Sequence, residues 1–146
     1  MKATQNPPTT GMVTTADLLR MAALYLRRHG WHQGTYYAST TDILTPPACA
    51  AGAIRIACAG RRIEQFVQLD SDALTDYVTA LDVFVDHLDA TAPMFFIDED
   101  GYLLDEHTSP YSWNDDPART AEQVVTALEA AADEWDRLHT AGGENR

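Results

Sequence analysis

Residues 71–89 read SDALTDYVTALDVFVDHLD. Leu74, Tyr77, Val78, Leu81, Phe84, Val85 and Leu88 recur at the i, i+3, i+4, i+7 spacing that aligns one face of an α-helix. Asp72, Asp76, Asp82 and Asp86 fall on the opposite face, and Pro93 stops any continuation. A helix with one long apolar stripe must bury it against other elements, and the rest of the chain offers mostly helices. This stretch therefore sets the class as mainly α.

Toward the N-terminus, a helix is expected from Thr15 to His29. Thr14 or Thr15 can cap it, Asp17 suits its first turn, and Arg27, Arg28 and His29 suit its last. Leu18, Met21, Ala22, Tyr25, Leu26 and His29 share a face, and Gly30 can take the C′ position. Residues 31–47 read as a loop. Ala48 to Ala59 reads as a second helix of small residues, with Pro47 at its first position, placed near the centre of the fold. Arg61 to Leu69 fits either a last helical turn or a short strand. Toward the C-terminus, residues 94–104 read as a β-hairpin turning at Asp100-Gly101. A last helix follows from Ala121 to Leu138, opened by a capping box of Thr120 and Gln123. Its stripe is Val124, Val125, Leu128, Ala131, Ala132, Trp135 and Leu138.

The expected architecture is one mainly α domain over residues 13–139. It has four principal helices and a short β-hairpin between the third and last. Residues 1–12 and 140–146 are expected as disordered tails. An α+β variant with a small antiparallel sheet applies if the Tyr36 loop and residues 61–69 add strands to the hairpin.

Charge is unevenly spread. Residues 1–63 hold seven basic and two acidic groups, net +5; residues 64–146 hold three and twenty, net −17. The total is −12. The halves attract each other, and Arg20, Arg27, Arg28, Arg55, Arg61 and Arg62 can dock on the acidic half of this chain or of a second copy. Direct nucleic-acid binding, which needs clustered Lys and Arg, is disfavoured. No apolar run approaches the ~20 residues that span a bilayer, and residues 1–11 lack the apolar core of a signal peptide. Cys49 and Cys58 on one helix would stand about 13 Å apart, too far for a disulfide. Two free thiols point to a reducing, cytoplasmic setting.

The acidic cluster at Asp98–Asp105 fails as a calcium loop, because Phe96 stands where the first ligand is needed. His29, His32, His87, His107 and His139 show no zinc spacing, so neither a metal nor another cofactor is expected. Cys49, near a helix N-terminus that lowers a thiol pKa, is a candidate nucleophile, with His107 as base and Asn114 or Asp115 to orient it. The plainer reading is a small buried residue in an alanine-rich helix. Trp113-Asn114-Asp115-Asp116-Pro117 can fold into Asx turns, with Arg119 pairing a carboxylate.

Three segments stand together: Trp31-His32-Gln33-Gly34, Cys49-Ala50-Ala51-Gly52-Ala53-Ile54, and Trp113-Asn114-Asp115 leading through Arg119-Thr120 to Val124-Val125. They resemble a family of small uncharacterised proteins from actinobacteria and their phages. The resemblance implies a fold and a cytoplasmic setting, and no catalytic role. It groups Gln33, Cys49, Asn114, Asp115 and Arg119 as residues to test.

The first functional expectation is a non-enzymatic, acidic regulatory protein of phage or actinobacterial origin, whose partner is a basic protein held by the Asp72, Asp76, Asp82 and Asp86 face. Such a row can also mimic DNA toward a DNA-binding partner. The second is a protein that binds or sequesters a small, nucleotide-like molecule through Trp31, Gln33, Asn114, Asp115 and Arg119. The third is a cysteine-dependent hydrolase centred on Cys49 and His107. A homodimer is a further candidate assembly.

Overall fold

A computed structural model describes residues 12–39, 44–63, 68–93, 97–102 and 107–144, with side chains described through Thr140. Among these residues lie five helices: α1 (Thr15–His29), α2 (Ala50–Ala59), α3 (Ser71–Thr91), α4 (Pro110–Asn114) and α5 (Ala121–Glu144). The fold is mainly helical, and no helix among the described residues is long and apolar enough to cross a membrane.

α1 has the expected bounds. The Thr14 hydroxyl accepts the Asp17 N–H and the Asp17 carboxylate accepts the Thr14 N–H, each at 3.0 Å, closing a capping box. Gly30 ends the helix at φ 102°, which L side chains rarely adopt. The buried face of α1 is broader than its expected stripe. Leu19 and Ala23 are buried with Leu18, Ala22, Tyr25 and Leu26, while Met21 is 46% exposed. Several neighbours cause the breadth, because α1 packs on α5, α2 and α3.

α2 begins two residues later than expected. Cys49, rather than a residue beside Pro47, is its N-cap, with Sγ accepting the Gly52 N–H at 3.3 Å. Residues 50–55 are all buried, which puts α2 at the centre. The small residue at Gly52 admits a loop rather than another helix. A Cβ there would lie 2.5 Å from the Tyr36 carbonyl oxygen. The loop after α1 runs back along residues 47–49, where Ala38 N–H donates to Pro47 O and Cys49 N–H donates to Tyr36 O, both at 2.9 Å. The Tyr37 hydroxyl then donates to Ile63 O at 2.6 Å, tying this loop to the chain beyond α2.

In α3 the most buried line is Ala73, Tyr77, Ala80, Phe84 and Leu88. Val78, expected inside, is 48% exposed. Phe84 and Ala80 are fully buried, and the small Ala80 leaves room for the neighbouring helices to approach. α4 falls in the stretch between the expected hairpin and the last helix, where no helix was expected. Ser109 caps it by accepting the Ser112 N–H, and Pro110 fills its first turn. α5, expected to end at Leu138, continues to Glu144 and takes in part of the expected tail.

The count of four principal helices is thus corrected to five, and no strand occurs among the described residues. Trp31 and Tyr37 make only isolated bridges to Ala48. Of the expected hairpin, residues 97–102 are described and form a turn. Gly101 N–H donates to Asp98 O, while the Asp98 carboxylate accepts the N–H groups of Asp100 and Tyr102. Residues 94–96 and 103–106 lie outside the described residues, as do 64–67 of the ambiguous segment and 1–11 of the N-terminal tail.

Candidate functional site

Asn114, the last residue of α4 and 1% exposed, joins three stretches of chain. Its Oδ1 accepts the Trp31 indole N–H at 2.8 Å and the Ala50 N–H at 3.0 Å. Its Nδ2 donates to His32 O at 3.1 Å and to Asp115 Oδ1 at 3.0 Å. One amide therefore holds the loop after α1, the first residue of α2 and its own neighbour. All four of these bonds are inside the protein, so its amide is already fully engaged.

Gln33 and Asp115 complete the clasp from either side. Gln33 Nε2 donates to Asn114 O at 3.0 Å and Asp116 O at 2.9 Å. Asp115 Oδ1 accepts the Gly34 N–H at 3.0 Å. Arg119 lies on the far side of Trp113. Its Nε donates to Trp113 O at 2.9 Å, its guanidinium lies 4.0 Å from the Trp113 ring centroid, and it reaches Asp116 at 3.8 Å. The Trp113 ring also meets Phe84 of α3 edge-on at 5.7 Å. The fold therefore brings Trp31, Gln33, Asn114, Asp115 and Arg119 together, and it commits their polar groups to one another and to backbone.

Cys49 lies against the same clasp, in a pocket of about 210 Å³ shared with Tyr36, Tyr111, Asn114 and Asp115. The Tyr36 hydroxyl donates to that of Tyr111 at 3.2 Å, and the rings meet edge-on. Burial, reinforced by that bond, pushes the Tyr36 hydroxyl up to about 12. Burial also pushes the Cys49 thiol up, and the N–H groups of Gly52 and Ala51 offset it only in part. The expected lowering at a helix N-terminus is thus outweighed by desolvation. At neutral pH the pocket holds a neutral thiol and neutral phenols.

His107 is placed elsewhere. Its Nδ1 bonds Asp89 Oδ2 at 2.8 Å, while the other Asp89 oxygen accepts the Thr108 N–H at 2.6 Å. Burial pushes the Asp89 carboxyl up, but the bonds from Thr108 and His107 outweigh it and hold it below its usual range. No histidine lines the Cys49 pocket among the described residues. Both cysteines are free, and no group of three His, Cys, Asp or Glu among the described residues is set to hold a metal.

The sequence reading missed Arg55, which it assigned to an exposed basic face. Arg55 is 2% exposed, lies 3.8 Å from the Tyr36 ring centroid and 5.3 Å from that of Tyr77, and donates to Ile63 O at 3.5 Å. A single charge inside a helix of alanines and isoleucines was the available signal. Arg20 and Arg27 do meet the acidic half. Arg20 bridges Asp133 and Asp136 at 2.9 and 2.6 Å, and Arg27 reaches Glu129 and Glu122 at 3.3 and 3.6 Å. These pairs fasten α1 to α5. Asp72, Asp76, Asp82 and Asp86 are all exposed, and no ion pair among the described residues reaches them.

No curated protein and no solved structure matches the chain. The chain belongs to DUF6197, a family of unknown function whose model matches residues 10–134.

Proposed function

We propose, since membership of that family brings no chemistry with it, that the protein is a non-enzymatic binding protein that presents the acidic face of α3 to a basic protein partner. The observation that carries this reading is the division of charge between α3 and α5. Arginines of α1 engage the carboxylates of α5, whereas the four aspartates of α3 face solvent. A net charge of −12 adds long-range attraction for a cationic partner. The role proposed is regulatory, in a cytoplasmic setting in actinobacteria or their phages. Catalysis is disfavoured, because Asn114 is fully engaged, the Cys49 thiol is held protonated and His107 serves Asp89. The Cys49 pocket, at about 210 Å³, is below the ~300 Å³ at which ligand sites usually begin, which weighs against a nucleotide there.

The test is affinity capture from host lysate at low and high salt, using the native protein and a variant with Asp72, Asp76, Asp82 and Asp86 all changed to Lys. One stoichiometric, salt-sensitive protein partner is expected, lost with the reversed variant and kept with Cys49→Ser. Undiminished capture by the reversed variant would rule the acidic face out.

A further inference from the structure

The acidic row of α3 leads into an apolar groove. Between the C-terminal half of α3 and α5 lies a cavity of about 630 Å³. Val83 and Ala90 of α3, with Ala131, Trp135 and Leu138 of α5, give it apolar walls. Leu138, expected in the apolar stripe of α5, is instead 56% exposed at the groove. The Trp135 ring lines the groove and stacks on His139, with centroids 3.7 Å apart and planes 13° apart.

Row and groove share a residue. Asp86 belongs to the acidic face and also lines the groove. At about 100° per residue, Asp72, Asp76, Val83 and Ala90 fall within about 40° of one line along α3. The outward surface of that helix therefore changes along its length, from carboxylates to apolar side chains. The ionisable groups around the groove favour a cation. Burial lowers the pKa of His87, opposed by the nearby Glu134 carboxylate. Glu134 is itself paired with Arg137, which leaves Asp86 as the groove's carboxylate for a visitor.

Resting on the acidic-face reading above, we infer that the partner is recognised through a basic amphipathic helix. Its apolar side chains enter the α3–α5 groove and its Lys or Arg side chains lie along Asp86, Asp82, Asp76 and Asp72. The pattern is that of a helix laid in a groove, with apolar anchors setting affinity and flanking charges setting register. Each groove wall, 83–91 on α3 and 131–139 on α5, runs about 12 Å, enough to face two turns of a docked helix.

The test uses two synthetic peptides of about 18 residues, a length that gives about five helical turns. Both contain the same leucines and lysines. One places the leucines on a single helical face; the other is scrambled. Calorimetric titration at about 0.15 M salt should show the amphipathic peptide binding about tenfold more tightly or better, the effect of burying one more leucine. The double variant Ala90→Gln, Leu138→Ser changes two exposed positions and should abolish that difference while leaving the weak binding of the scrambled peptide. Equal affinity for the two peptides, or undiminished discrimination by the double variant, would overturn the groove while leaving the acidic-face reading intact. Binding of neither peptide would overturn both. Two other occupants have their own signatures, and either would overturn the inference. One is a concentration-dependent dimer of the native chain abolished by the double variant. The other is saturable one-to-one binding of dodecylammonium by a protein that ignores the peptide.

Discussion

Asn114 concentrates the strongest residue-scale prediction. Replacing it with alanine strips the acceptor from the Trp31 indole and from the buried Ala50 N–H, and the donor from His32 O. Leaving buried polar groups unpaired costs about 1–3 kcal/mol each, so Asn114→Ala should lose on the order of 3 kcal/mol, measured by urea unfolding. A loss under about 1 kcal/mol would show that water replaces the amide. The thiols give a pH prediction. Burial pushes Cys58 up to about 12, from an ordinary value near 9. A raised pKa means that the folded state holds its proton longer than the unfolded chain does. Its contribution is therefore full below pH 9 and is lost as pH climbs toward 12. The urea midpoint should fall as pH rises from about 9 toward 12, and fall less steeply in Cys58→Ala. The grouping of Gln33, Cys49, Asn114, Asp115 and Arg119 was legible in the sequence only through resemblance. The bonds that join them run largely to backbone groups such as Ala50 N–H, His32 O and Trp113 O, which no residue type announces. Arg55 was misplaced because its rings, Tyr36 and Tyr77, lie far away in sequence.

α1, α3 and α5 could be read from periodicity because each is long and buries one side. Their rotational settings could not, since these depend on how many neighbours each helix has. That is why Met21 and Val78 turned outward and Leu19 turned inward. α4 escaped because five residues carry no period, although Ser109-Pro110 was a usable start signal. The start of α2 was misjudged because cysteine is not among the usual capping residues. At Gly52, α2 meets the loop after α1 with no room for a side chain. Gly52→Ala should force the Tyr36 carbonyl to retreat from 2.5 Å, and overpacking of that kind costs about 1–3 kcal/mol. The expected result is a lower melting temperature with unchanged helical content by circular dichroism. An unchanged melting temperature would mean that the loop yields freely.

Across the whole molecule, repulsion and attraction divide between two faces. The α1–α5 ion pairs involve arginine side chains 40–46% exposed, so each is worth only about 0–1 kcal/mol. The net charge of −12 and the α3 row oppose them. Adding salt should therefore stabilise the protein, raising the melting temperature by a few degrees between about 0.02 and 0.3 M sodium chloride. Changing Asp72, Asp76, Asp82 and Asp86 to Asn should raise it at low salt and flatten the dependence. A melting temperature that falls with salt would instead make the α1–α5 pairs dominant. The seating of α1 on α5 also has a consequence in time. Arg20 and Asp133 touch although 113 positions separate them. At about 5–20 residues per second, a ribosome that has released α1 needs on the order of 5–20 s more to deliver the partner helix. Through that interval the side of α1 that packs on α5 lacks its final cover. A chain interrupted before α5 emerges would retain that bare face, marking it for chaperones and proteases in a way the finished molecule is not.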